Sequence, residues 1–135
     1  MFNTIRGSIR YVDACSALGQ GNIDLALSRI EEAIRLLGSS MNKPRVYDTN
    51  LVAAEIYFRV DNKTQARKHL DLAISQINSY RKLSELDRNY LLDYCELFEN
   101  DINNLKIDVD FRVNRNDYAL VDSNITKQFP IRREV

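Results

Sequence analysis

Apolar residues recur at helical spacing through most of the chain. The clearest run has steps of four, three, four and three residues: Ile23, Leu27, Ile30, Ile34 and Leu37. A helix of 3.6 residues per turn places such a run in one continuous stripe. Asn22 stands at the N-cap position before the run, and Gly38 stands where a helix commonly ends. We therefore predict an amphipathic helix between Asn22 and Gly38.

The same pattern returns 40 residues later. The positions that match across this offset are mostly small or apolar: Ala26 with Ala66, Ile30 with Leu70, Ala33 with Ala73, Ile34 with Ile74 and Leu37 with Ile77. Because packing constrains the volume of buried residues most strongly, this conservation of size indicates a repeated fold unit. We predict two helical hairpins whose first helices span 8–19 and 46–60. The tight turns lie at Gly21-Asn22 and Asp61-Asn62, and Asn62 is also expected to cap the helix that follows it.

The flanks of the second hairpin predict a loop and a fifth helix. Pro44 disfavours helix at Lys43, so residues 38–44 are expected to form the connection between the hairpins. Ser84 can cap a helix that runs to Leu105. The inward face of this helix is apolar: Leu91, Tyr94, Cys95, Phe98, Ile102 and Leu105. Such a helix would cover the exposed face of the second hairpin.

The last thirty residues follow a different pattern. Apolar and charged residues alternate strictly through 106–113, which is the period of a β-strand. An isolated hairpin is marginal in water, so this segment needs a surface on which to lie. We therefore divide the chain into a helical domain at 1–105 and an extended tail at 106–135. A homodimer formed through 106–121 is one way to satisfy the strand.

Length, composition and charge narrow the class of protein. The 135 residues suit one domain, and four Gly and two Pro favour helices over a turn-rich β fold. The 19 basic and 19 acidic side chains cancel, which gives no support for nucleic acid binding. No run of apolar residues is long enough to span a membrane. Cys15 and Cys95 lack the spacing of a disulfide framework, and the cytoplasm is the expected compartment.

Candidate chemistry is sparse. His69 is the only histidine, and no further histidine, cysteine or carboxylate stands at metal-ligand spacing from it. No glycine-rich loop for phosphate is present. The pair Glu31-Glu32 lies on the polar face of its predicted helix, where solvated charge is expected. We therefore predict no catalytic residue, no metal and no cofactor, and we do not expect an enzyme.

Both hairpins resemble tetratricopeptide repeats. The residues that carry the resemblance are small or apolar positions of the motif: Ala14, Ala17, Ala26, Ile30 and Ala33 in the first copy, and Ala54, Tyr57, Ala66, Leu70 and Ala73 in the second. Small residues at a helix crossing allow the two backbones to approach closely. The resemblance implies an all-α fold of two such hairpins and a capping helix. It also implies protein binding.

In that family the first helix of each hairpin lines a concave groove. Carried over to this chain, the groove would contain eight partner-binding residues: Tyr11, Leu18, Leu51, Glu55, Phe58, Arg59, Leu92 and Glu96. Apolar anchors ringed by charge suit a bound peptide or helix. The alternative is that Leu18, Leu51 and Phe58 belong to the core.

The leading functional hypothesis is an adaptor or chaperone-like module that binds a peptide or helix of another protein. A second hypothesis is a structural subunit that associates with itself through the C-terminal strand. A third hypothesis is a small helical-bundle secretion chaperone. Such proteins are similar to this chain in length and in a Gly-Asn-Ile sequence with an amphipathic helix, but that interpretation does not account for the 40-residue repeat.

Overall fold

A computed structural model describes residues 2–104, and this part of the chain consists of five helices without a strand. The helices are α1 (Phe2–Gly19), α2 (Ile23–Leu37), α3 (Lys43–Arg59), α4 (Lys63–Ser79) and α5 (Glu85–Asn104). The predicted all-α class with about five helices is thereby confirmed. The predicted tail and its strand at 106–113 lie outside the described residues.

Polar side chains cap four of the helices. The Oδ1 atoms of Asn22, Asn42 and Asn62 each accept a hydrogen bond from the backbone N–H three residues ahead, at 3.2–3.3 Å. Ser84 Oγ accepts one from the backbone N–H of Asp87 at 3.1 Å. Each bond satisfies an N–H that the first helical turn leaves without a partner. The predicted caps at Asn22, Asn62 and Ser84 are confirmed.

The turns after α1 and α3 have the same structure, 40 residues apart. The N–H of Asn22 donates to Ala17 O and that of Gly21 to Leu18 O. The equivalent bonds run from Asn62 to Tyr57 and from Asp61 to Phe58. This pair of bonds is a Schellman motif, which needs a left-handed residue after the helix. Gly21 (φ 79°) and Asp61 (φ 63°) fill that position in the two turns.

Two predicted boundaries are wrong. Helix α1 begins at Phe2 rather than Ser8. It extends because Gly7 fits against Leu36 and Leu37, so the first turns have a surface on which to pack. Helix α3 begins at Lys43, with Pro44 inside its first turn. Proline is tolerated there because its missing N–H would have had no intrahelical acceptor.

Each helix packs against its neighbour in the chain. Helix α1 lies on α2, α3 on α4, α2 on α3, and α5 on α4. The buried apolar residues form two clusters, one shared by α1, α2 and α3 and the other by α3, α4 and α5. Helix α3 contributes to both clusters, and residues 44–56 are buried without interruption. It is therefore the central helix of the domain.

Arg88 fastens the start of α5 to the end of α4. Its guanidinium donates to the carbonyl oxygens of Ile77 and Asn78, and to those of Tyr80 and Leu83 at 3.1 Å. The last carbonyls of a helix lack intrahelical donors and carry partial negative charge. One side chain thus satisfies the C-terminal end of α4 and fixes the connection into α5.

Candidate functional site

Most of the predicted partner-binding residues are buried. Tyr11 and Leu18 from α1, and Leu51 and Phe58 from α3, belong to the apolar clusters. Phe58 packs edge-to-face on Phe98 of α5, with the ring centroids 5.9 Å apart. The structure thus assigns Leu18, Leu51 and Phe58 to the core, as in the alternative interpretation. Leu51 is the most deeply buried of the three, with less than 2% of its surface exposed.

The four remaining predicted residues range from buried to exposed. Glu55 is buried, and its Oε2 accepts a hydrogen bond from Arg59 Nε at 3.2 Å. Arg59 and Leu92 are half-buried, and Glu96 is exposed. These side chains share α3 and α5 but offer little apolar surface. The predicted site has polar groups for a partner, while its apolar anchors face inward.

A cluster of polar side chains is buried where α1 meets α3. The Tyr11 hydroxyl donates a hydrogen bond to Asp48 Oδ2. The Arg45 guanidinium lies over the Tyr11 ring, 4.5 Å from its centroid, in a cation–π contact. Tyr11 and Asp48 are both completely buried. A carboxylate in such a place needs hydrogen-bond donors, so this group fixes the relative position of the two helices.

A second polar chain joins α2, α3 and α4. His69 Nδ1 lies 2.9 Å from Asn50 Oδ1, and Asn50 Nδ2 donates to Gln76 Oε1 at 3.0 Å. The Tyr57 ring stacks on His69 with the centroids 5.3 Å apart. The Tyr57 hydroxyl donates to Glu31 Oε2 at 2.7 Å. Since an amide oxygen only accepts, His69 carries its proton on Nδ1.

Burial sets the titration behaviour of this chain. Desolvation lowers the pKa of His69, with help from the Lys68 charge, while Glu31 acts in the opposite direction. Desolvation and the bond to Glu31 raise the pKa of Tyr57 to about 12. A cavity of about 260 Å³ adjoins His69 and is walled by Ile34 and Leu37 of α2. At neutral pH His69 and Tyr57 are therefore uncharged, and the hydrogen bond from Tyr57 to Glu31 joins the two hairpins.

The outward face of α1 carries an exposed apolar stripe. Phe2 is 78% exposed, Ile5 53% and Ile9 51%, and half-buried Val12 continues the line. The steps of three, four and three residues place all four on one face, opposite the buried Gly7 and Ala14. The prediction missed this stripe because it began the helix at Ser8. The spacing rule that identified α2 also applies to residues 2–12.

The loop between the hairpins extends this apolar surface. Met41 is 88% exposed. Two depressions of about 490 Å³ each lie beside α1 and share Thr4, Ile5 and Asn42 in their walls. A flexible methionine at the edge of a groove can adapt to the shape of a partner. We call Phe2, Ile5, Ile9 and Val12 the α1 stripe.

Both cysteine thiols are inaccessible to solvent. Cys15 and Cys95 are buried, and burial raises the pKa of the Cys95 thiol to about 12. Such a thiol is a poor nucleophile. Residues 2–104 contain no group of three or more histidine, cysteine and acidic residues that could hold a metal ion. Within the same residues, no helix combines the length and the apolar character needed to cross a membrane.

Comparison with protein families, with curated proteins and with solved structures gives no match for this chain.

Proposed function

We propose that this domain is a protein–protein interaction module built from two tetratricopeptide-like hairpins. The observation that carries the proposal is the α1 stripe, with three large apolar side chains at least half exposed on one helix face. Contiguous exposed apolar surface on a small domain commonly marks an interaction site. The matching turns at Gly21 and Asp61 support the repeat interpretation.

The proposal moves the binding surface from the predicted groove to the outside of α1. Apolar anchors provide most of the affinity of an interface when they are desolvated together. The anchors predicted on α3 are already desolvated by the domain itself. The exposed side chains of the α1 stripe are not, and the two depressions beside α1, one of them walled by Met41, give them a shaped border.

A binding experiment with matched variants tests this proposal. Ile9→Asp places a charge at the centre of the α1 stripe, and Leu86→Asp places one at an isolated leucine of α5 that is 73% exposed. We expect Ile9→Asp to lose the binding partners of the full chain, including any second copy, while Leu86→Asp retains them. Helical circular dichroism should be the same for both variants. Equal binding by the two variants would rule out the α1 stripe as the interaction surface.

A further inference from the structure

We propose that the partner of the α1 stripe is the α1 stripe of a second copy, packed antiparallel about a two-fold axis near Ile9. This inference rests on the proposed function, because it names the occupant of the same surface. The occupant must be a helix or another elongated apolar element. Steps of three and four residues are the spacing by which one helix packs along another.

The positions of charge on α1 favour an antiparallel copy. Arg6 and Asp13 lie seven residues apart, which places them on the same flank of the stripe, about 10 Å apart along the helix axis. In an antiparallel pair the same flank of each helix meets, in reverse order. Arg6 of one copy then lies beside Asp13 of the other, and symmetry makes this ion pair twice.

The apolar residues match in the same register. With Ile9 at the axis, the two Ile9 side chains meet each other, and Ile5 lies beside Val12 of the second copy. Phe2 lies beside Ser16, a smaller half-buried residue that leaves room for the ring. In each apolar pair and each ion pair, the two residues lie at the same height along the helix axes to within about 1.5 Å, the rise of one residue. One register therefore satisfies both the apolar residues and the charges.

A parallel pair of the same helices is disfavoured. It would place the flank that carries Arg6 and Asp13 beside the opposite flank of the second helix, where uncharged Ser8 lies, so neither charge would meet an opposite charge. Asp13 also contacts Arg10 of its own chain at 2.9 Å, through Oδ2. Arg10 in turn lies 3.2 Å from Glu32. These contacts fix the Asp13 carboxylate on the flank where the second copy would present Arg6.

Charge reversal tests both the partner and the register. In the full chain, Arg6→Asp should set two carboxylates against each other, and Asp13→Arg should do the same with two cations. We expect wild type to sediment as a dimer at micromolar concentration, and each single variant to show at least a tenfold weaker dimer. The double variant, Arg6→Asp with Asp13→Arg, exchanges the charges and should recover the dimer.

The outcomes separate this inference from the proposed function. A monomeric wild type would overturn the dimer, and so would a dimer that survives Ile9→Asp or a double variant without recovery. If wild type is monomeric yet Ile9→Asp abolishes capture of a different protein, the interaction module stands and the self-association falls. If wild type is monomeric and Ile9→Asp changes no binding, both proposals fail. Circular dichroism of each variant excludes loss of fold as the cause.

Discussion

Helices α1 and α3 occupy equivalent places in the two hairpins, yet they arrange polarity in opposite ways. Helix α1 exposes Phe2, Ile5 and Ile9 to solvent, while α3 buries Asp48 and Glu55. Helix α3 has packed neighbours on several sides, so even its polar residues are enclosed and must find hydrogen-bond partners. Helix α1 lies at the edge of the domain, and one of its faces meets no other described helix.

The difference shows that the position of a helix in the domain decides what its side chains do. An apolar residue at the edge stays exposed to solvent, and a polar residue at the centre forms hydrogen bonds that join neighbouring helices. The same sequence pattern precedes both outcomes, since Ala14 and Ala54 match across the 40-residue offset.

The largest expected effect comes from the buried hydrogen bond between Tyr11 of α1 and Asp48 of α3. Asp48→Ala removes the acceptor of the buried Tyr11 hydroxyl, and we expect the free energy of unfolding to fall by about 3 kcal/mol. Urea denaturation measures the change. Tyr11→Phe removes the donor instead, and the double variant should lose less than the sum of the two single losses. A change within about 0.5 kcal/mol for Asp48→Ala would mean that this bond does not stabilise the pair of helices.

The buried face of α1 is expected to be less tolerant than its exposed stripe. A Cβ added at Gly7 would lie 2.5 Å from Leu37 Cγ, inside the contact distance. Alanine normally stabilises a helix interior, but here we expect Gly7→Ala to cost about 1–2 kcal/mol in thermal or urea unfolding.

Leu37→Ala provides the control for that prediction. Once the leucine is shortened, the 2.5 Å overlap disappears and only the 3.2 Å approach to Leu36 Cβ remains, so Gly7→Ala should cost clearly less than it does in the wild-type background. If Gly7→Ala destabilises both backgrounds equally, the close approach of α1 to Leu37 is not the cause.

The contact between His69 of α4 and Asn50 of α3 is expected to make the free energy of unfolding depend on pH. The pKa of His69 is lowered in the fold, mainly by burial, so the unfolded chain binds the proton more readily. The contribution of neutral His69 is therefore present above its ordinary value of 6.5 and is lost as the pH falls through that value toward the folded pKa. The urea concentration at the midpoint of unfolding should therefore decrease as the pH is lowered from about 7.5 to about 5.

The control for this titration is His69→Gln, whose side-chain amide can still donate to Asn50 but has no charge to gain. We expect the fall in this pH range to become shallower in the variant. Identical slopes for the two proteins would assign the dependence to other groups.

Much of this architecture was predictable from local signals. The caps Asn22, Asn62 and Ser84 act through bonds that span three residues, and Gly21 marks a turn by its own conformational freedom. The start of α1 was not predictable in this way, since Phe2 has no capping residue before it. Its first turns depend on Gly7 packing against α2, a contact 30 residues distant in sequence.

The candidate site was harder to predict for a similar reason. Hydrophobic period identifies a stripe but does not say whether another helix covers it. Leu51 and Phe58 were therefore as suitable for a groove as for a core, and only their surroundings distinguish the two. The exposed stripe on α1 follows the same period, and its exposure results from the position of α1 at the edge.

The smallest effects are expected where α1 and α3 end. Gly21 and Asp61 both adopt left-handed backbone, which costs little for glycine and more for a residue with a side chain. Gly21→Ala should lower the free energy of unfolding by about 1 kcal/mol, because its added Cβ would meet no atom within 4 Å and only the backbone is strained. Asp61→Gly should raise it by roughly 0.5 kcal/mol, since the strain is relieved at some cost in chain entropy. Opposite signs in urea denaturation would establish that the two turns are energetically equivalent positions of one repeat. Changes of the same sign would contradict that equivalence, even though the two turns form equivalent hydrogen bonds.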